Sequence, residues 1–336
     1  MAYKKMSQKV NMKTIAELAG VSVATVSRVI NQNGRFSAET EANVKRVMKE
    51  LHFYPNTVAK NLKENRSNVI GVIVPDITNP HFARLVLEIE KRLFEYSYLT
   101  VICNTNEVKE LEQRHVDSLI TQRVSGILII SGSKTYDLND IPVIYVDRCP
   151  DDYKAGQHCI VESDNESGAY MATRKLIDSG CKNIAILYSC HTDRNQKMRY
   201  RGYKKAVEEV GFKEQTIHVD SISSSIATEA VKRYIESGNV VDGLVCTTDA
   251  LAIGAIIGLQ EKHLSVPEQV KVTGYDDSIL AVLYHPSVSS IHQYVNRMAE
   301  KTVALLLAMI EKEHIDQMHN VLPVRLVERA STKIVI

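Results

Sequence analysis

Apolar residues recur in this chain by two different rules, and the change falls near residue 68. Up to residue 51 they return every three or four positions, the spacing that keeps one face of an α-helix dry. In "TIAELAGVSVATVSRVIN" (14–31), two short runs of this kind meet at Ala19-Gly20-Val21-Ser22. Thr14 and Glu17 have capping-box spacing, in which hydroxyl and carboxylate satisfy backbone donors, so a helix is expected to begin at Thr14. Gly20 accepts the left-handed conformation that ends it, and Ser22 caps a second helix running to about Ile30. A third helix is predicted from a cap at Ser37, with Val44, Val47, Met48 and Leu51 on its dry face and Pro55 as its stop. Together these make a helix-turn-helix with a third helix to cover it. "YPNTVAKNLKENRSN" (54–68) offers a marginal helix capped by Asn56, with Val58, Ala59 and Leu62 on one stripe, too short to be stable in isolation.

Beyond residue 68 short apolar runs alternate with amphipathic helices. "NVIGVIV", "LTVICNT" and "GILIIS" make one series, and "NIAILYS", "TIHVDSI", "GLVCTT" and "VKVTGYDD" a second. Such alternation predicts parallel sheets covered by helices, here in two α/β lobes. Ligands in such folds sit beyond the carboxyl ends of strands, in the cleft between lobes. Reading strand ends selects Asp76, Asn79, His81 and Phe82 after the first strand, and Asp147 and Arg148 after "IPVIYV". It adds Arg199 on the "RYRGY" helix, Thr248 and Asp249 after "GLVC", Asp276 after "VTGY" and Gln293 after "VSSIH". Opposed carboxylates and guanidiniums suit a hydroxyl-rich ligand, because each hydroxyl donates and accepts at once while an aromatic ring covers the apolar face. Taken singly, any of these charges could equally cap a helix or pair at the surface.

Composition narrows the class. The chain has 336 residues, 44 % of them hydrophobic, enough to bury a large core in two or three domains. Its longest apolar stretch near the end, "VALLLAMI" (303–310), is far short of a membrane span, and "MAYKKMSQK" lacks the apolar centre of a signal peptide, so a cytosolic location is expected. Six scattered cysteines without a C-x-x-C pair are expected to be buried free thiols. Residues 1–67 carry 12 Lys/Arg against 5 Asp/Glu, and residues 68–336 carry 29 against 35. A head of charge +7 on a body of charge −6 suits a polyanion-binding module joined to a different functional unit. On the second helix Val26, Val29 and Ile30 cluster inward while Ala24, Ser27 and Arg28 point away. That small, polar outer face lets a helix sit deep in the DNA major groove, where one guanidinium can read guanine O6 and N7. The sequence has no G-x-x-x-x-G-K-[ST], G-x-S-x-G or H-E-x-x-H motif, which disfavours sugar kinases, hydrolases and metal-dependent chemistry.

With "YPNTVAKNLK", "IGVIVPDITNPHFARL", "GYDD" and "LVERAST" added to the opening stretch, the chain resembles the lactose-repressor family of bacterial transcription regulators from Thr14 to about Thr332. The resemblance implies an all-α headpiece and a two-lobed periplasmic-binding-protein-like α/β core with parallel sheets. It implies a flexible N-terminus over 1–12, a headpiece over 13–55 and a hinge helix over 56–67. The core then spans 68–336, its first lobe about 68–165 and 294–322, its second about 166–293 and 323–332. The DNA-contacting residues would be Thr14, Ser22, Val23, Ala24, Thr25, Ser27, Arg28 and Asn31, joined in the hinge by Ala59, Lys63 and Leu62, the last as a wedge in the minor groove. Effector contacts would be Asn79, His81, Phe82, Asp147, Arg148, Arg199, Ile222, Thr248, Asp276 and Gln293. His81 and Ile222 stand where aromatic residues are common in the family, and Thr248 where asparagine is usual.

Membership of that family would make the protein a dimeric repressor of a sugar-utilisation operon on a palindromic operator, with no cofactor and no metal. A small neutral carbohydrate in the cleft, whether ribose, another pentose or a disaccharide, would control it. The chain ends four residues after Thr332, without a leucine-heptad helix, so a dimer is expected. A freestanding sugar-binding protein of a transport system is the competing expectation. It would share the lobes but carry a secretion signal and no basic headpiece.

Overall fold

The computed structural model describes residues 10–53, 67–138, 140–189 and 194–333. The chain divides into two compact units, residues 1–65 and 66–336.

In the first unit, α1 (Met12–Ala19), α2 (Val23–Asn31) and α3 (Ala38–Glu50) close over Ile15, Ala16, Ala19, Val26, Val29, Val44 and Val47. The turn between α1 and α2 is built as expected, with Gly20 left-handed at φ 66° and the Ser22 Oγ accepting from the Thr25 N–H at 3.1 Å. The start of α1 differs. Asn11 Oδ1 accepts from the N–H groups of Lys13 and Thr14 at 2.9 and 3.2 Å, so Asn11 is the cap and Thr14 lies in the first turn. Asparagine caps as well as threonine does, and the one that comes first in the chain takes the orphan donors. The third helix also stops earlier than Pro55 would require. His52 turns left-handed at φ 47°, and the Phe53 N–H donates to the Met48 carbonyl at 2.9 Å, folding Phe53 back onto the core. Pro55 and the hinge residues Ala59, Leu62 and Lys63 lie outside the described residues.

The second unit holds two six-stranded sheets. The first contains β1 (Val69–Val74), β2 (Leu99–Asn104), β3 (Gly126–Ile129), β4 (Val143–Val146), β5 (Cys159–Ser163) and β11 (His319–Leu322), in the spatial order β11-β5-β4-β3-β1-β2, all parallel. Helices α4 (Pro80–Glu95), α5 (Lys109–Thr121) and α11 (Val295–Ile310) cover it. The second sheet contains β6 (Ile184–Ser189), β7 (Thr216–Val219), β8 (Gly243–Cys246), β9 (Lys271–Asp276), β10 (Ser289–Gln293) and β12 (Val324–Val327), in the order β12-β10-β9-β8-β6-β7. Its helices are α6 (Asn165–Asp178), α7 (Arg194–Glu209), α8 (Ser224–Glu236), α9 (Asp249–Glu261) and the short α10 (Ile279–Leu283).

The purely parallel pattern fails at one edge, where β12 runs antiparallel to β10. Only Pro323 separates β11 from β12, so the chain steps directly from one sheet to the other with no room for a helical crossover. The chain changes lobe three times, at Asp164, Tyr294 and Pro323. Close packing sets the position of α7. A Cβ on Gly202 would stand 2.1 Å from the Glu166 backbone oxygen, so only glycine lets α7 lie this near α6. The five described cysteines, Cys103, Cys149, Cys159, Cys181 and Cys246, are free, and all but Cys103 are buried. No helix among the described residues is long and apolar enough to cross a membrane.

Candidate functional site

In the first unit α2 buries Val26 and Val29 and leaves Ser22, Val23, Ala24, Arg28 and Asn31 exposed. Some of the expected contact residues are partly occupied by the helix itself. The Thr25 and Ser22 hydroxyls lie 2.9 Å apart, and the Asn31 amide donates to the Ser27 carbonyl at 2.8 Å. Thr14 Oγ1 leans on Asn11 at 3.4 Å. Arg28 is exposed, and its side chain passes beside Gly34, where a Cβ would meet Arg28 Cδ at 3.2 Å.

In the second unit, strand ends bring buried charges from both lobes together. Asp147 follows β4 in a left-handed conformation, φ 65°, and is 2 % exposed. Its Oδ1 lies 3.4 Å from His81 Nε2, close enough for ion pairing but not aligned as a hydrogen bond. Asp276 ends β9 at φ 101° and accepts from the Gln293 amide at 2.8 Å. Arg199 Nη2 stands 3.8 Å from Asp276. Phe82 lies under the Arg148 guanidinium at 5.0 Å, and Glu107 accepts from Arg148 Nη1 through both carboxylate oxygens at 2.9 Å.

The charges set one another's ionisation. Burial opposes charge on His81, but Asp147 and Asp276 outweigh it and raise its pKa above the ordinary imidazole value. Burial likewise opposes charge on Asp147, and His81, Arg199 and Arg148 more than compensate, so its carboxyl stays below the usual range. For Asp276 burial wins over His81 and Arg199, and its pKa is raised. Burial and the nearby Asp276 push Asp249 up to about 7.

The remaining expected contacts have architectural tasks. Asn79 caps α4 by accepting from the His81 N–H at 3.0 Å, and Thr248 caps α9 by accepting from the Leu251 N–H at 3.3 Å. Ile222 packs on the core of the second lobe. Asp76 closes a turn onto Thr78, and Asp249 accepts from Ser290 Oγ at 2.5 Å and the Ser278 N–H at 2.7 Å.

Residues missed by the strand-end rule brace the site. Arg199 Nε donates to Asn165 Oδ1 at 2.8 Å, its Nη1 donates to the Thr247 carbonyl at 2.6 Å, and its guanidinium lies 3.6 Å from the Tyr275 ring centre. Asn195 reaches from α7 to the Asp147 carbonyl at 3.1 Å, joining the lobes. Their only advance signal is a place within a few residues of a strand end. A separate hollow of about 530 Å³, lined by Tyr136, Pro142, His158, Met309 and Met318, opens at the other ends of the first sheet's strands. None of its described polar side-chain atoms is buried without a hydrogen bond, whereas His81, Asp147 and Gln293 in the cleft carry such atoms.

Residues 11–56 match the family described as bacterial regulatory proteins, lacI family, and residues 173–332 match a periplasmic binding protein-like domain. The HTH-type transcriptional repressor PurR of Pasteurella multocida (strain Pm70) is 33 % identical over 330 residues, covering 94 % of this chain and 97 % of its own. The ribose operon repressor of Halalkalibacterium halodurans is 31 % identical over 325 residues, 96 % of this chain and 97 % of its own. The crystal structure of the Lac repressor dimer bound to operator and an anti-inducer superposes with a TM-score of 0.85 at 26 % identity, covering 96 % of this chain and 99 % of that one. A periplasmic binding protein/LacI transcriptional regulator from Alkaliphilus metalliredigens QYMF, complexed with D-xylulofuranose, superposes with a TM-score of 0.71 at 26 % identity over 80 % of this chain and all of its own. A three-helix unit with an open recognition face, a two-lobed core and likeness along nearly the whole length lead to one conclusion: the chain belongs to the lacI family of bacterial regulatory proteins.

Proposed function

We propose that this protein is a dimeric transcriptional repressor of a sugar-utilisation operon, released from or driven onto a palindromic operator by a small neutral carbohydrate. The observation that carries the reading is the set of buried charges at the strand ends of both lobes, His81 facing Asp147 and Arg199 facing Asp276. Positive and negative groups alternate there and balance: His81 with Asp147, Arg199 with Asp276, Arg148 with Glu107. A balanced site favours an uncharged polyol over a sugar phosphate, and Phe82 supplies an apolar surface.

In this reading α2 enters the major groove, with Ser22, Val23, Ala24, Thr25, Ser27, Arg28 and Asn31 toward bases and phosphates. Thr14 steadies the first turn. Ala59, Leu62 and Lys63 enter the minor groove between half-sites, Leu62 as a wedge. Dimerisation is supported by exposed apolar side chains in both lobes, Leu87 and Phe94 on α4, Leu99 and Ile102 on β2, and Leu280 and Leu283 on α10. A second copy is the occupant for these side chains that two-fold operator symmetry demands. Repression is exerted at the chromosome, which places the protein in the bacterial cytoplasm, and the reading assigns it no catalysis.

Selection from random-sequence DNA by the full chain should enrich a palindrome. Addition of D-ribose, D-xylose, D-xylulose, cellobiose or sucrose should then change that affinity for one sugar, whereas guanine and sugar phosphates should not. Enrichment without two-fold symmetry, or response to a purine alone, would overturn the reading.

A further inference from the structure

Glu107 lies in the loop between β2 and α5, and its backbone is held in an uncommon conformation. Asn106 and Glu107 are both left-handed, φ 50° and 61°. Asparagine enters that region readily, but glutamate does so only where surrounding contacts fix it. Those contacts are with the turn that follows β1. The Thr105 N–H donates to the Val74 carbonyl at 2.9 Å, the Glu107 N–H donates to the Pro75 carbonyl at 3.3 Å, and Asn104 Oδ1 accepts from the Ile77 N–H at 2.7 Å. The same turn leads into α4 with its Asn79 cap, His81 and Phe82. Fixed in this way, Glu107 accepts from Arg148 Nη1 through both carboxylate oxygens, at 2.9 Å each. The Arg148 guanidinium lies over the Phe82 ring, and Phe82 stands edge-on to His81 at 5.4 Å. The Arg148 charge also helps to keep the Asp147 carboxyl below its usual range. Arg148 therefore belongs to the wall of the cleft. Its side chain is 10 % exposed and that of Glu107 57 %, which puts the carboxylate on its solvent side.

Resting on the carbohydrate reading of the cleft, we propose that Glu107 is a specificity-determining residue, which keeps anionic ligands out of the cleft by engaging the guanidinium of Arg148. A guanidinium on a largely buried wall suits a phosphate or a carboxylate of a ligand, through the same charge-assisted hydrogen bonds it now makes to Glu107. While Glu107 holds it, a sugar phosphate has to displace that carboxylate and is repelled by it. An uncharged polyol meets a guanidinium already balanced. Selectivity of this kind comes from a built-in repulsion against the wrong ligand, supplied by a residue that does not itself have to touch the right one. Loss of the carboxylate adds one positive charge to the cleft and leaves Arg148 without this counter-charge, so the range of ligands widens toward anions. Binding gained in that way is an attraction between opposite charges and weakens as salt is added.

Calorimetry on the full chain at low ionic strength tests this, with D-ribose 5-phosphate, D-glucose 6-phosphate and inorganic phosphate as probes. Glu107→Gln keeps the shape of the side chain and removes its charge. It should bind at least one probe roughly tenfold or more tighter than the wild type does, with the gain shrinking as salt is added. Glu110→Gln, exposed in the first turn of α5, removes an equal charge close by and should show no such gain. Adding Arg148→Gln to Glu107→Gln should abolish the gain in a chain that still melts cooperatively. Equal phosphate binding by wild type and Glu107→Gln, an equal gain in Glu110→Gln, or a gain that survives Arg148→Gln would overturn the proposal. D-Ribose, D-xylose, D-xylulose and cellobiose separate it from the reading on which it rests. If none of them binds the wild type while Glu107→Gln gains phosphate through Arg148, the neutral-sugar reading fails and the charge filter stands. If one of them binds and no phosphate follows the substitution, the filter fails and the reading stands.

Discussion

Arg28 illustrates how a contact residue is prepared before it meets its target. It is exposed on α2, with its side chain passing beside Gly34. A planar guanidinium fork there suits bidentate recognition of a base edge more than a diffuse phosphate contact. Arg28→Ala should cost about 1–3 kcal/mol at one position of each half-site and relax the preference there. Binding measured against operators mutated position by position checks this, and a uniform loss would mark a phosphate contact. Asp249 is prepared in the opposite way. Its carboxyl, ordinarily near 3.8, is pushed to about 7, so the folded chain holds a proton that the unfolded chain releases. Its stabilising contribution is full below its ordinary pKa and fades as the pH rises through 7. The melting temperature should therefore fall between pH 5 and 8, and Asp249→Asn should flatten that part of the profile. Identical slopes in both proteins would assign the effect to other groups.

At the scale of elements, periodicity identifies the helices, and local competition decides where they end. Asn11 and Thr14 are both good caps, and spacing alone does not rank them. The structure uses Asn11. Asn11→Ala should cost the first unit about 1 kcal/mol, whereas Glu17→Ala should change little. Thermal melts of the two variants separate a single cap from a capping box, which would make the two losses similar. The end of α3 was illegible for another reason, since the left-handed turn at His52 exists to return Phe53 to a core that only the assembled helices create. The edge strand β12 was not readable as antiparallel, because direction depends on which sheet receives it. In the cleft, His81, Asp147, Arg199, Asp276 and Gln293 were legible because strand ends point at one place. Glu107, Asn165 and Tyr275 were not, because they act on Arg148 and Arg199, which only folding brings near them. Asn79 and Thr248 expose an ambiguity of chemistry, since side-chain oxygens that could meet a sugar also cap helices.

At the scale of the whole molecule, pairing of two chains should govern operator affinity. Placing aspartates at Phe94 and Leu283, 66 % and 74 % exposed, should leave each chain folded and able to bind sugar but unable to pair. Ultracentrifugation should then show monomers, and operator affinity should fall roughly 10²–10⁴-fold because a single headpiece reads a half-site without the gain of a linked second one. A doubly substituted protein that still sediments as a dimer would remove these side chains from the interface. Effector and operator must also weaken or strengthen each other by one common factor, which parallel titrations can measure. The single-residue step at Pro323 reaches further, into how the protein is made. The first sheet takes its last strand from residues 319–322 and the second from 324–327, so both stay incomplete until nearly the whole core has been synthesised. At about 5–20 residues per second, a ribosome spends many seconds with two unfinished sheets, and then translates the missing strand of each within a dozen codons. Neither lobe can mature ahead of the other during translation, and a stop codon anywhere before residue 319 deprives both at once.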